Sequence, residues 1–278
     1  MQTTFVICGL LTIVIVFAIA LHLIISGLPA IREIGLREFL FGTVWRSTGV
    51  DPQFGILPFI LASVFSTIGA LLIGVPVGLM TSIFLAKLAP PKIGAVVNTA
   101  VELLAGIPSV VYGFVGLIVL VPFVQRTFNL NSGTVMLSAI VVLSVMILPI
   151  LTNVSRVALQ SVPTEYEDAS LALGATKIET IFKVSMPAAR SGIAAGVVLG
   201  VGRAIGEAMA VMMVIGNIAQ MPGLLEPART LTVAIASEMG YATGLQRNAL
   251  LSIGLVLFIF IFILNLILNA TLKRGGAK

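Results

Sequence analysis

The sequence predicts an all-α integral membrane protein with six transmembrane helices, and three observations support this. The chain of 278 residues is 58% hydrophobic and only 10% charged, whereas soluble domains carry charge on about a quarter of their residues. Its mean hydropathy is +1.15. The apolar residues form runs of about 20 or more, the length that a helix needs to cross a bilayer. These runs lie at 5–26, 55–86, 96–124, 133–154, 191–215 and 248–272.

The basic residues predict how the spans are oriented. If the N-terminus is cytoplasmic, nine basic residues lie on the inner side and six on the outer, and all six lysines are on the inner side. Because cytoplasmic loops are enriched in Lys and Arg, this bias favours two cytoplasmic termini. Residues 1–54 would then form the first helix and a periplasmic loop, and residues 55–278 a five-helix core with a cytoplasmic loop at 155–190. The outer loops at 27–53 and 216–246 are long enough to meet an external partner.

Small residues predict how the spans pack, and the single tryptophan predicts where the outer membrane interface lies. Glycines repeat every four residues in two spans, which is typical of helices that pack closely in lipid. They are Gly74 and Gly78 in the second span and Gly192, Gly196 and Gly200 in the fifth. Trp45, in the loop after the first span, is predicted at the outer membrane interface, where its amphipathic ring is favoured.

Residues 163–190 are the most polar part of the chain and have the pattern of two short helices. Thr164 and Thr176 are each followed three residues later by Glu, the signature of a capping box at a helix start. Gly174 lies between them, where a left-handed helix stop favours glycine. A pair of short helices at the membrane surface is a shape that another protein can bind. An ordinary structured loop is the alternative.

This polar segment resembles the EAA loop of ABC importer permeases, which docks on the nucleotide-binding subunit. The family pattern is Glu-Ala-Ala, three residues, Gly, nine residues and Ile-x-Leu-Pro. The chain keeps both spacings and departs from the pattern at Asp168 for Glu, Ser170 for Ala, Val184 for Ile and Met186 for Leu. The resemblance implies the type I ABC importer permease fold, with a cytoplasmic coupling-helix loop between the fourth and fifth spans. The ATPase-coupling residues that it implies are Asp168, Ala169, Ser170, Gly174 and Pro187.

Three charged residues, Glu102, Arg203 and Glu207, lie within apolar runs. Each would cost at least about 2.5 kcal/mol at the centre of a lipid-facing helix, so they should face protein or water. Arg203 lies roughly 18 Å along the fifth span at 1.5 Å per residue, near the bilayer midplane. Glu207 follows one turn later, where it can pair with Arg203. The planar guanidinium suits a tetrahedral oxyanion. An interhelical salt bridge is the alternative.

Longer stretches around these charges resemble the phosphate-specific ABC importer permeases, and their C-type subunit more than their A-type subunit. The resemblance runs from about residue 37 to the C-terminus and is carried by the stretches 39–45, 102–113 and 202–211. Ala208 stands where that family usually has Thr, so no role is assigned to it. The resemblance implies a permease subunit of an ATP-driven inorganic phosphate importer. Its substrate pathway would include Arg203, Glu207 and, where Gly106 and Pro108 open the backbone, Glu102.

The same resemblance implies a set of partners and a location. The partners are a homologous A-type permease, an ATPase dimer that binds ATP and Mg²⁺, an extracytoplasmic phosphate-binding protein and membrane lipid. The location is the cytoplasmic (inner) membrane of a bacterium or archaeon. We expect this chain to bind no cofactor, since it lacks the Gly-x-x-x-x-Gly-Lys-Ser/Thr loop that cradles phosphates. A single cysteine excludes a Cys-based metal cluster, and the scattered basic residues do not suggest nucleic acid.

Alternatives to a phosphate permease remain at the level of sequence. A permease for another oxyanion or polar solute would share the polar segment 163–190, which is called the docking segment below. Only the region around Arg203 distinguishes such a permease from a phosphate permease. An intramembrane enzyme would need a nucleophile with a base or a metal cluster, whereas the chain has one histidine and one cysteine. A passive channel would have no use for capped cytoplasmic helices.

Overall fold

The computed structural model describes residues 2–49 and 51–276, and this part of the chain is mostly helical. Lys278, one of the six lysines behind the predicted orientation, lies outside the described residues. The α-helices are α1 (Gln2–Ile34), α2 (Leu36–Phe41), α3 (Leu57–Ile83), α4 (Pro91–Gly106), α5 (Ser109–Val115), α6 (Val121–Thr127), α7 (Met136–Gln160), α8 (Thr164–Ala172), α9 (Lys177–Thr180), α10 (Met186–Ala188), α11 (Arg190–Gly206), α12 (Met209–Val214), α13 (Leu231–Glu238) and α14 (Gly244–Gly276). Three π-helical turns extend or join them at Phe84–Leu88, Gly116–Leu120 and Ile181–Ser185. Strands β1 (Trp45–Arg46) and β2 (Gln53–Phe54) pair antiparallel.

Five helices in the described part of the chain are long and apolar enough to cross a membrane. They are Thr4–Ile34, Leu57–Leu88, Ser109–Thr127, Met136–Gln160 and Gly244–Leu266. A sixth span forms if Lys177–Ala188 and Arg190–Gly206, which meet at a bend of 71°, are counted together. The predicted all-α, six-span architecture is therefore confirmed. The third predicted run is divided at Pro108, so that α4 precedes the span and the span itself begins at Ser109.

Helix α7 is the centre of the bundle, and the predicted glycine contacts are made against it. A Cβ at Gly74 of α3 would lie only 2.6 Å from Ile147 Cδ1 of α7. The glycines of α11, namely Gly192, Gly196 and Gly200, face α7 in the opposite chain direction. Close backbone approach at these positions confirms that the small-residue pattern marks helix packing.

The parallel and antiparallel directions of the helices place three parts of the chain at one end of the bundle. Helix α7 runs parallel to α3 and antiparallel to α11. Helices α1 and α14 are antiparallel and joined where the Ser252 hydroxyl donates to the Gly27 carbonyl at 2.6 Å. The segment 161–189, the start of α1 and the end of α14 therefore share one end. That this end is cytoplasmic stays a prediction, as does the division of the chain after residue 54.

Trp45 is buried in a protein core, so its ring is covered by protein and not open to the membrane interface, and its depth relative to the membrane stays a prediction. Its side chain is only 8% exposed and lies with its ring centroid 5.3 Å from Phe54 and 5.4 Å from Phe59. Its indole Nε1 donates to the Glu238 carboxylate at 3.2 Å. A buried indole needs a hydrogen-bond acceptor. Here α13 supplies one that the local sequence around Trp45 does not reveal.

We expect Trp45 fluorescence to resist quenching by iodide in the detergent-solubilised protein, because the ring is covered by Phe54 and Phe59. A matched control is the double variant Trp45→Phe/Leu173→Trp, since Leu173 is 90% exposed on a polar segment. The quenching constant of Trp45 should be several-fold lower than that of the control tryptophan. Equal constants would show that Trp45 is open to water.

Candidate substrate pathway and docking segment

Helix α11 is broken at Glu207, the second of the predicted pathway residues. The helix ends at Gly206, and Glu207 is extended at φ −75° and ψ 124°. Its backbone carbonyl accepts a hydrogen bond from the Thr232 hydroxyl at 2.9 Å. Its carboxylate accepts one from the Ala210 amide at 3.0 Å, at the start of α12. The break therefore holds the Glu207 carboxylate where the chain turns from one helix to the next.

Arg203 lies in the last turn of α11 and lines an open cleft of about 290 Å³ between α4, α7 and α11. Within the described residues, the side-chain ion pairs do not include Arg203. The predicted pairing with Glu207 is wrong, because that prediction assumed a continuous helix, whereas the break turns the carboxylate towards Ala210. The guanidinium is exposed in this single chain and keeps its donors for another acceptor.

Asn153 of α7 is a polar residue of this cleft that the sequence analysis missed. Met146, Pro149 and Ile150 line the cleft with it, at the spacing of one helix face. Along that face Asn153 is the polar member of an otherwise apolar stripe. Its amide therefore faces the same space as Arg203. An amide within the fourth apolar run was the signal that could have identified it.

Glu102 is placed outside this cleft, on an exposed position of α4. Its carboxylate accepts a hydrogen bond from Asn98 Nδ2 at 2.7 Å. The other side of that amide, Asn98 Oδ1, accepts from Arg156 Nη1 of α7. Glu102 thus orients a side chain that bridges α4 and α7. The predicted break after it is present, since α4 ends at Gly106 and α5 begins beyond Pro108.

The polar segment folds as the two predicted short helices, α8 and α9, with Gly174 between them at φ +87°. The capping box at Thr176 is confirmed: its hydroxyl accepts from the Glu179 amide at 3.3 Å, and Glu179 Oε2 accepts from the Thr176 amide at 3.0 Å. The predicted box at Thr164 is wrong. Pro163 is the residue before the helix, so Thr164 already lies inside it and cannot cap it.

Glu167 has a different role from the predicted cap, because it ties the docking segment to the bundle. Its carboxylate forms an ion pair with Lys87, at the end of the second span, at 2.5 Å. The same carboxylate oxygen accepts from the Ser185 hydroxyl at 2.8 Å. These contacts join α8 to the π-helical turn before α10 and to the π-helical turn that extends α3. A displacement of α8 would therefore move the two segments that contain Lys87 and Ser185.

The predicted coupling residues are placed on or beside the surface of this segment. Asp168, Ala169, Gly174 and Pro187 are exposed. Ser170 is half-buried, with its hydroxyl 2.9 Å from that of Thr180. The same surface also exposes large apolar side chains that the sequence analysis did not single out, namely Leu173 at 90%, Tyr166 at 57% and Ile178 at 53%. Exposed apolar groups on an otherwise polar segment are typical of a protein-binding surface.

We expect the contact of Glu167 with Lys87 to weaken on acidification. Burial alone would raise the pKa of Glu167, but hydrogen bonds from Lys87 and Ser185 and the charge of Lys87 outweigh it and hold that pKa below its usual 4.5. Since folding lowers this pKa, the contact stabilises the segment above the unfolded value, and the stabilisation is lost as the pH falls through the folded value. Amides of residues 164–186 should then exchange hydrogen faster, after correction for intrinsic rates.

The control for this pH dependence is a pair of variants. Glu167→Gln should remove the acid-dependent change in exchange, and Glu165→Gln, at an exposed neighbouring position, should retain it. The same acid response in both variants would show that the Glu167 contact does not hold the segment.

Comparison with known proteins defines the class to which this fold and site belong. The model of the binding-protein-dependent transport system inner membrane component family matches residues 74–274. The chain belongs to that family. Solved structures at low identity share the fold: a bacterial alginate ABC importer (TM-score 0.69, 16% identity, 98% of this chain and 96% of that one) and the MetNI methionine ABC transporter (TM-score 0.59, 22% identity, 80% and 94%). The predicted type I ABC importer permease fold is confirmed.

Curated relatives show which members of the family this chain resembles. The chain is 43% identical to the probable ABC transporter permease protein YqgH of Bacillus subtilis, over 96% of this chain and 88% of that protein. It is 37% identical to the phosphate transport system permease protein PstC of Xylella fastidiosa, over 93% and 85%. It is 36% identical to PstC of Haemophilus influenzae, over 100% and 94%. The predicted likeness to phosphate-specific C-type permeases is confirmed.

Proposed function

We propose that this chain is the transmembrane permease subunit of an ATP-driven inorganic phosphate importer, and that it forms the translocation pathway with a homologous A-type permease. The observation that carries the proposal is the Arg203 guanidinium, which faces the cleft beside the break in α11 without an ion-pair partner among the described residues. A permanent cation at this depth is costly unless it meets an anion or water. The names of the Xylella and Haemophilus relatives identify phosphate as the anion to test.

The cleft offers phosphate two kinds of contact. The forked guanidinium of Arg203 can donate two parallel N–H groups to two phosphate oxygens. The Asn153 amide, on the opposite wall, can donate to a third oxygen or accept the proton of a monohydrogen phosphate. Glu207 lies at the break, where its negative charge would weaken anion binding enough to permit release. In this proposal Glu102 does not touch the substrate but orients Asn98 and Arg156.

An A-type sister permease is supported by the surface that surrounds the cleft. In the single chain Arg203 is exposed, and an apolar groove of about 500 Å³ adjoins it between α4, α5 and α7. Val111, Val115 and Phe123 are among the side chains that line the groove. A homologous helix bundle on this face would enclose Arg203 and complete the pathway from both sides.

The docking segment is the proposed contact with an ATPase dimer, which would hold ATP and Mg²⁺, while this chain binds no cofactor or metal. Leu173 stands almost fully exposed beside Gly174, a geometry suited to insertion into a groove of another protein. The ties from Glu167 to Lys87 and Ser185 would carry a movement of this segment into the spans. The segment would be cytoplasmic, as would both termini, in the inner membrane of a bacterium or archaeon.

The opposite end of the bundle is the proposed contact with an extracytoplasmic phosphate-binding protein. Residues 27–53 and 216–246 meet there around Trp45 and Glu238. The antiparallel pair of β1 and β2 gives the first of these loops a fixed shape. A loaded binding protein seated on this end would deliver its phosphate above the break at Glu207.

The experiment that tests the function is uptake of radiolabelled inorganic phosphate in cells that lack this chain, with and without a plasmid copy of it. We expect the plasmid copy to restore uptake, unlabelled arsenate to compete with phosphate, and sulfate to compete weakly. Arsenate resembles phosphate in shape, charge and protonation, which makes it the matched competitor. If sulfate competed as well as phosphate, the chain would be a permease for another oxyanion.

A further inference from the structure

Helix α13 is a short buried helix that joins the break in α11 to a cluster of polar side chains. It has eight residues and a length of about 12 Å at 1.5 Å per residue. Leu231, Val233 and Ala234 are almost fully buried. Since interiors are close-packed and transmit displacement, such a helix moves as a unit.

The first turn of α13 holds the backbone of the break. Thr230 caps the helix by accepting from the Val233 amide at 3.3 Å, and the Leu231 amide donates to Ser63 of α3 at 3.0 Å. The Thr232 hydroxyl donates to the Glu207 carbonyl at 2.9 Å. That carbonyl has lost its helical partner because α11 ends at Gly206. Thr232 therefore satisfies the acceptor that the break exposes and fixes where Glu207 sits.

The last residue of α13 is Glu238, a carboxylate that is only 5% exposed. It forms an ion pair with Arg229 at 2.5 Å and accepts from Trp45 Nε1 at 3.2 Å and from Gln246 Nε2 at 3.0 Å. These donors come from the loop before α13, from β1 and from α14. A buried carboxylate depends on such partners, so the cluster determines the position of the end of α13.

We propose that Glu238 is a positioning residue for the substrate pathway, which acts through α13 and Thr232 on the backbone of Glu207. The inference rests on the proposed function, because it assigns Glu238 to the pathway of Arg203 and Glu207. The contacts at the two ends of α13 are its basis: one end is anchored by the buried ion pair, and the other end carries the hydroxyl that holds the break.

The test uses one variant at each end of α13 and their combination, in cells that lack the chromosomal copy of this chain. Glu238→Gln removes the charge that pairs with Arg229, and Thr232→Val removes the hydroxyl while keeping the shape. The measurements are uptake of radiolabelled inorganic phosphate and the amount of assembled transporter in the membrane. Glu226→Gln is the matched control, because Glu226 is an exposed carboxylate in the same loop as Arg229.

Each single variant should lower uptake per assembled transporter about tenfold, and the double variant should be no worse than the more severe single variant. Effects at sites more than about 7–10 Å apart ordinarily add as free energies, so that fold losses multiply. A shared loss therefore shows that both act through α13. Glu226→Gln should leave uptake unchanged. If Glu238→Gln does not assemble, the test rests on Thr232→Val, which should lower uptake. It should also shift the emission wavelength of Trp45, although Trp45 lies at the other end of α13.

Three results would overturn the inference while leaving the proposed function intact. They are a multiplied loss in the double variant, a normal uptake per assembled transporter in Thr232→Val, and a loss of assembly alone in Glu238→Gln with unchanged Trp45 emission in Thr232→Val. Absence of phosphate uptake in the unmodified chain would instead overturn the proposed function.

Discussion

Arg203→Lys should reduce phosphate uptake at least about thirtyfold while the chain inserts and assembles normally. Lysine keeps the positive charge but loses the planar fork that donates two parallel hydrogen bonds. The loss of one charge-assisted hydrogen bond costs about 2 kcal/mol, which corresponds to a factor of about thirty. The measurement is radiolabelled phosphate uptake, normalised to the amount of assembled transporter.

Arg126→Lys is the matched control for this substitution. Arg126 is exposed in the last turn of α6 and does not line the cleft, so the exchange of arginine for lysine there should leave uptake unchanged. Uptake by Arg203→Lys at the level of the control would show that Arg203 supplies only charge or packing, and the proposed substrate contact would be wrong.

Gly174→Val should uncouple ATP hydrolysis from transport, with uptake lowered at least about tenfold and the chain still inserted. Gly174 has φ +87°, a conformation in which a β-branched residue is strained by about 1–3 kcal/mol. The turn between α8 and α9 would open, and with it the surface that presents Leu173 and Asp168. The measurement is phosphate imported per ATP hydrolysed in membranes that contain the whole transporter.

The control for Gly174→Val is Gly9→Val, the same substitution where a Cβ meets nothing within 4 Å and where φ is not positive. It should transport normally. Normal coupling in Gly174→Val would mean that the segment 163–190 does not dock on the ATPase. The strain would then have been absorbed in a loop without a partner.

The spans and the docking segment could be predicted from the sequence because their signals are local. Apolar runs long enough to cross a bilayer need no partner to be recognised. The left-handed turn at Gly174 and the capping box at Thr176 each depend on residues that lie within four positions of one another. The glycine repeats in the second and fifth spans were also sufficient, because a helix surface of small residues has one principal use in lipid.

The features that the sequence did not reveal depend on residues distant along the chain. Trp45 is buried with its N–H satisfied by Glu238, 193 residues later. Where α11 breaks, the Glu207 carbonyl accepts from Thr232, 25 residues later, and hydropathy does not report such a break. The Thr164 box was wrong because Pro163 precedes the helix and Thr164 already lies inside it. Lys87 and Ser185, from other parts of the chain, hold Glu167 instead. Asn153 was overlooked because a lone amide in an apolar run does not show which face it occupies.

The most direct test of the proposed pathway is phosphate uptake by the double variant Arg203→Glu/Glu207→Arg. A structural ion pair would survive the exchange of its two members. In the structure, however, Arg203 faces the cleft and Glu207 accepts from Ala210 across the break, so the exchange puts a carboxylate where phosphate should bind. We predict an assembled transporter without phosphate uptake. Restored uptake in the exchanged variant would contradict the proposal and reduce the two residues to a salt bridge.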